Sequence, residues 1–276
     1  MVTDALGRNK SITVDTHDLT LGLKEYLERF EVMSNKYDST TRYSHELELL
    51  IDEYAAYITN PANRSMWERL EPEEELGELV LNLRRSSAFC VAIMEKYRAL
   101  KLLSGSSEQS AYFINIESCI EQEFGSFQVS PGSNVLLVGS GSFPMTPLLI
   151  AKRTGAQVVG VDIDQEAIDM GRSVLNILGP EYNIRLAQTP PEELESLEDF
   201  THIIFSSTVE DKFNIMDRLY ELTSDQVVVA MRYGEGLKSL FNFPLQEVDK
   251  LKWKLEEHVL RPDQVFDIAL YKKVIS

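Results

Sequence analysis

From Val135 to Thr146 the chain reads Val-Leu-Leu-Val-Gly-Ser-Gly-Ser-Phe-Pro-Met-Thr: a short apolar run, two glycines one residue apart, and the opening of a helix. A strand that turns this tightly into a helix is the first unit of an open α/β sheet. The glycines supply the backbone freedom for the turn and for close approach to a ligand. A second apolar run, Val158-Val159-Gly160-Val161, ends on Asp162. That places a carboxylate about twenty residues beyond the turn, where nucleotide-binding α/β folds hold the ribose hydroxyls. Gly139, Ser140, Gly141, Asp162 and the adjoining Ile163 therefore predict an adenosyl site. A dinucleotide fold asks for a third glycine at position 144, where this chain has Pro144, and the Lys-Ser/Thr pair of a phosphate loop is missing. The expected ligand has a ribose and no phosphates, and S-adenosylmethionine is the commonest of that kind. On this pattern alone, a plain tight turn in a doubly wound domain remains the alternative.

Upstream, from Leu19 to Gly125, apolar residues recur at three- and four-residue spacing, as in Leu19, Leu23, Tyr26, Leu27 and Phe30, which predicts a helical half broken at Pro61 and Pro72. After Gly125 short β-branched runs alternate with helical segments: Val135–Val138, Val158–Val161, Ile184–Ala187, His202–Ser206, Val227–Met231 and Phe266–Tyr271. The expected fold class is α/β: an N-terminal helical domain over residues 1–125, then a Rossmann-like, doubly wound parallel sheet of the class I methyltransferase type over residues 126–276.

Composition narrows the partners. Forty-four acidic against 27 basic residues give a net charge of −17, which repels nucleic acid and anionic membranes. Cys90 and Cys119 have no CxxC or Cys/His spacing, and His17, His45, His202 and His258 are scattered, so neither a disulfide framework nor a metal site is expected. No signal-like N-terminus or membrane-length apolar run occurs, so the expected location is the cytoplasm.

Three segments, taken together, resemble the nicotianamine synthases. Val138-Gly-Ser-Gly-Ser-Phe-Pro-Met-Thr146 is similar to that family's signature loop. Leu83-Arg84, with Glu95 eleven residues beyond the arginine, resembles its Leu/Ile-Arg segment and catalytic glutamate. Arg232-Tyr-Gly-Glu-Gly236-Leu-Lys238 resembles its Arg-x-x-x-Gly-x-Arg stretch. The chain length, the Arg232–Gly236 stretch and the Arg261–Lys273 tail are most like the bacterial staphylopine-type opine-metallophore synthases. Where the plant and archaeal enzymes carry a supporting tyrosine, alignment through Glu121 and Gly125 puts Ile114 or Asn115, with Tyr112 nearby.

The resemblance implies transfer of one 2-aminobutanoyl group from S-adenosylmethionine to the amine of histidine, with the D hand expected. Methylthioadenosine would be released, no metal would be required, and an opine dehydrogenase would take the product onward. A homodimer is the expected assembly. Iterative nicotianamine synthesis and ordinary methyl transfer are the alternatives. Glu95 takes the catalytic role; by residue type alone it reads as an exposed helix carboxylate paired with Lys96 or Arg98, and only its register against Leu83-Arg84 argues otherwise. Phe143 and Pro144 line the donor pocket or simply pack the turn. Thr189 lies beside the adenine, and Ser206 and Ser207, with Thr208, bond the methionyl end or serve as turn residues. Arg232, at a strand end, grips a substrate carboxylate or pairs with a surface acid. Tyr233, Tyr112 and Asn115 complete the acceptor-side candidates.

Overall fold

The structure, a computed structural model, describes residues 5–70, 74–105 and 127–275. Its first half is helical: α1 (Ala5–Ser34), α2 (Ser44–Thr59), α3 (Pro61–Trp67) and α4 (Glu74–Leu103). Helix α2 buries Leu47, Leu50, Ile51, Tyr54 and Ile58, the stripe that a 3.6-residue period puts on one face. Pro61 opens α3, where its missing N–H costs nothing, and the Asn60 side chain caps the helix by accepting from the Ala62 amide at 2.8 Å. Leu83, Cys90, Met94 and Tyr97 of α4 join Leu23 and Phe30 of α1 in one buried cluster.

The second half alternates strand and helix: β1 (Asn134–Val138), α5 (Met145–Thr154), β2 (Gln157–Asp162), α6 (Gln165–Leu178), β3 (Ile184–Gln188), β4 (His202–Phe205), α7 (Lys212–Arg218), β5 (Val228–Tyr233), β6 (Trp253–Val259) and β7 (Asp267–Lys273). The seven strands lie in the order β3-β2-β1-β4-β5-β7-β6. The first five are parallel, whereas β7 runs antiparallel between β5 and β6. The expected doubly wound parallel sheet is thus present in five strands and is extended by two more, of which β7 is antiparallel to its neighbours. Strand β6 escaped the sequence pattern for two reasons: it is a largely exposed, charge-rich edge, and a bulge between Leu255 and Glu257 breaks its alternation.

Strand alternation divides the sheet residues between two cores. Val135, Leu137, Ile204, Ala230, Ile268 and Leu270 pack into the cluster that also holds α1, α2 and α4. Leu136, Val138, Phe205, Met231, Tyr233 and Ala269 face the opposite side, with Phe213, Met216 and Leu219 from α7 and its C-terminal flank. The helical half and one sheet face therefore share a single hydrophobic core. The expected domain boundary at 125/126 lies outside the described residues. Among the described residues, no helix is long and apolar enough to cross a membrane.

Two polar ties fix the helices over the end of β5. Arg84 Nε donates to the Ser239 carbonyl at 2.5 Å, and the buried Tyr54 hydroxyl donates to the Leu240 carbonyl at 2.9 Å, both within the 3-10 turn that follows the strand. Replacing Tyr54 with Phe leaves that carbonyl without its donor. The expected cost is about 1–3 kcal/mol in urea denaturation, the range for a buried group stripped of its partner; an unchanged midpoint would show that the tie carries no stability.

Candidate active site

The order of strands reverses at β1, and in open α/β sheets the ligand crevice opens outside the C-terminal strand ends at such a point. Gly139 and Gly141 both adopt the left-handed region, with φ of +83° and +66°. The amides of Gly139 and Ser140 donate to the Val161 carbonyl at 2.9 and 3.0 Å, which pins the loop to β2. The space left by the missing side chains is taken by the protein itself. A Cβ on Gly139 would stand 2.7 Å from Val209 Cγ2, and one on Gly141 would stand 1.8 Å from Glu95 Oε2. Glycine at 141 thus makes room for a carboxylate delivered by α4. Two consecutive loop amides hold two carboxylates: Gly141 N–H donates to Asp162 Oδ2 at 2.9 Å, and Ser142 N–H donates to Glu95 Oε2 at 3.2 Å.

Two cavities meet at Glu95. The larger, about 640 Å³, runs past Asp162, Ile163 and Thr189 at the ends of β2 and β3 and out towards Phe89 and Phe243. The smaller, about 60 Å³, lies deeper, against Ser140, Phe143, Ser207 and Arg232. Glu95, Gly139 and Ser206 line both. The larger cavity suits an adenosyl group: the Asp162 carboxylate stands at its floor, and the Ile163 side chain, 84% exposed, offers an apolar face at the tip of β2.

Most of the expected site residues therefore converge, with three differences. Pro144 lines neither cavity and instead packs against Gly171 as the residue preceding α5. Tyr233 points to the other face of the sheet, because side chains alternate and its neighbour Arg232 faces the site; its ring joins the second core and its hydroxyl lies 3.0 Å from Nδ1 of the exposed His258. Tyr112 and Asn115 lie outside the described residues. The structure also adds residues that sequence reasoning missed: Arg85, Phe89 and Val91 of α4, Thr146, Phe243 and Phe266, together with Arg98, which the sequence reading had only as a possible ion-pair partner of Glu95. Val91 and Arg98, four residues before and three after Glu95, share its face of α4, and that period is the signal that reveals them.

Enclosure and charge shape the site's acid–base behaviour. Glu95 keeps open only the surface it turns to the cavities. Burial, reinforced by the nearby Asp162 carboxylate, pushes its carboxyl up to about 8, against the pull of Arg98, the Ser142 amide and Arg232. The next residue, Lys96, turns away and bridges Asp164 at 2.7 Å and Glu166 at 2.5 Å, so α4 is tied to the start of α6 beside the catalytic candidate. The end of β5 is held by the buried Lys212, whose ammonium donates to the carbonyls of Arg232 at 2.6 Å and Phe243 at 2.8 Å. Among the described residues, no group of three or more His, Cys, Asp or Glu side chains is arranged to hold a metal ion.

These features define a Rossmann-like adenosyl-binding protein with a helical cap that lowers a carboxylate onto the glycine loop. Solved structures with the same fold include MtNAS, a nicotianamine synthase, in complex with MTA and tNA (16% identity, TM-score 0.75, 92% of this chain and 97% of that one). Another is a glutamate-to-glutamine variant of the same protein in complex with S-adenosylmethionine (14% identity, TM-score 0.70, 90% and 98%). No protein-family profile matches the chain. The L-histidine 2-aminobutanoyltransferase of Pseudomonas aeruginosa is 27% identical over 224 residues, 81% of this chain and 84% of the relative. That of Yersinia pestis is 31% identical over 187 residues, 67% of this chain and 70% of the relative. The chain belongs to the L-histidine 2-aminobutanoyltransferase family.

The raised Glu95 carboxyl has a measurable consequence for stability. Its folded value of about 8 exceeds the ordinary 4.5, so between these pH values the folded chain holds a proton that the unfolded chain has lost. The contribution is complete below about 4.5 and declines as pH rises to about 8. Glu95→Gln lacks this titration. Its melting temperature relative to the parent should climb from pH 5 to pH 8 and level off above; a gap independent of pH would contradict the burial of Glu95.

Proposed function

We propose that the chain transfers a single 2-aminobutanoyl group from S-adenosylmethionine to the amino group of histidine, with release of methylthioadenosine. The observation that carries this reading is Glu95, which α4 places against the glycine loop at the junction of the two cavities. Membership of the 2-aminobutanoyltransferase family supports the same chemistry. Of the two hands of histidine, the names of the relatives favour L over the D hand expected from the resemblance.

The sulfonium of the donor activates three carbons: the methyl, the ribose 5′ carbon and the γ carbon of the aminobutanoyl chain. In-line attack requires the nucleophile to be held at about 3–3.5 Å, so position decides which carbon reacts. Asp162 accepts from the ribose hydroxyls, Ile163 and Thr189 flank the adenine, and Gly139, Ser140, Phe143, Ser206 and Ser207 surround the sulfur and the chain beyond it. Glu95 orients the acceptor and takes its ammonium proton. The freed amine forms a C–N bond to the γ carbon, the C–S bond breaks, and its electron pair stays on sulfur, which leaves as a neutral thioether. Arg232 holds a substrate carboxylate at the end of β5. The donor's sulfonium and the acceptor's ammonium both favour the ionised form of Glu95, so substrate binding itself prepares the base.

The product keeps the primary amine of the transferred group, which suits it to reductive condensation with a 2-oxo acid by an opine dehydrogenase. We place the enzyme, expected as a homodimer, immediately before such a step.

Incubation with S-adenosylmethionine and histidine of either hand, read by mass, tests the reading. Methylthioadenosine should accumulate in step with a histidine adduct bearing one aminobutanoyl group. Adenosylhomocysteine would mark an ordinary methyltransferase, and adducts with two or three units would mark iterative synthesis.

A further inference from the structure

The small inner cavity carries a second cation, Arg98, to which the assignments above give no role. Two arginines from different halves of the chain line it: Arg98, one turn of α4 beyond Glu95, and Arg232 at the end of β5. Both are almost wholly buried, at 8% and 5% exposure. Each guanidinium lies over an aromatic ring, Arg98 at 4.2 Å from the Phe143 ring centre and Arg232 at 5.2 Å from that of Phe266. Arg232 Nη2 also donates to Thr146 Oγ1 at 3.2 Å. The ring contacts of both guanidiniums, with the hydrogen bond of Arg232, hold the two planar groups in place before any ligand arrives.

We infer that the inner cavity is the seat of the donor's amino-acid head group, with Arg98 and Arg232 together binding the α-carboxylate of S-adenosylmethionine. Guanidinium groups match carboxylates with paired N–H donors, and two of them suit a carboxylate drawn away from water better than one. Size separates donor from acceptor. At about 10–15 Å³ for each water position, a cavity of about 60 Å³ has room for roughly five heavy atoms, the size of an α-amino-acid head group. A whole histidine has roughly twice as many and belongs in the outer cavity, between Phe89 and Phe243.

The donor is then gripped at both ends, its ribose by Asp162 and its carboxylate by the arginines, and stretched across Glu95. Of the three carbons on the sulfonium, the methyl lies off the path between the grips, and the γ carbon lies on the side of the sulfur that the arginines hold. Arg98 is therefore a residue that positions the γ carbon of the donor.

The inference rests on the proposed donor, but the binding arm of its test needs no acceptor, so an error in the group transferred would not affect that arm. Methylthioadenosine keeps the adenosyl half of the donor and lacks the head group. Calorimetry with both ligands should show Arg98→Met weakening S-adenosylmethionine about ten-fold or more while methylthioadenosine changes by less than about two-fold, with Arg98→Lys between parent and Met. In turnover, KM for S-adenosylmethionine should rise and KM for histidine should not. Equal loss of both adenosyl ligands would reveal a structural fault, no change in either would remove Arg98 from the site, and a rise confined to the histidine KM would give the clamp to the acceptor; each of these overturns the inference.

Discussion

Glu95 Oε2 accepts from the Ser142 amide at 3.2 Å and occupies the space where a side chain on residue 141 would stand. This contact joins a carboxylate from the helical half to the nucleotide-type turn of the sheet, and much of the structure serves to maintain it. The shared core beneath α4 sets the height of the helix over the sheet. Lys96 fixes its rotation by bridging to Asp164 and Glu166, and Arg84 ties its earlier turn to the Ser239 carbonyl. A bare Rossmann-like domain has the loop and the acidic residue but no carboxylate above them, so here the cap adds the carboxylate to which we assign the proton transfer.

How much of this was legible in the sequence depends on whether a feature is local. The strand–turn–helix at Val135–Thr146 and the carboxylate at Asp162 are written in consecutive residues, and both appear where expected. Glu95 was visible only through its register against Leu83-Arg84, because its burial is produced by a contact 47 residues along the chain. The purpose of Gly141 was hidden for the same reason: a turn glycine looks alike whether ligand or protein fills the space beside it. Arg98 and Tyr233 were legible in principle. The helical period from Glu95 brings Arg98 to the site, and the strand period from Arg232 takes Tyr233 away. The polar, bulged edge strand β6 had neither period nor hydrophobicity to reveal it.

The charges of the site form a consistent whole. Two carboxylates, Asp162 and Glu95, rest on adjacent loop amides, and two guanidiniums, Arg98 and Arg232, line the inner cavity with Glu95. The donor brings a sulfonium, an ammonium and a carboxylate, and the acceptor brings an ammonium and a carboxylate. Without substrates, burial and Asp162 favour the protonated form of Glu95; the incoming cations reverse that preference where the proton must be taken.

The central claim is that Glu95 acts in the chemical step and has little part in holding the donor. Single-turnover rates with S-adenosylmethionine already bound, measured for the parent and for Glu95→Gln, test it most directly. The account predicts a fall of roughly 10²–10⁴-fold in rate, the range for a positioned proton-transfer group, with S-adenosylmethionine affinity within about two-fold of the parent. A rate close to that of the parent would contradict it.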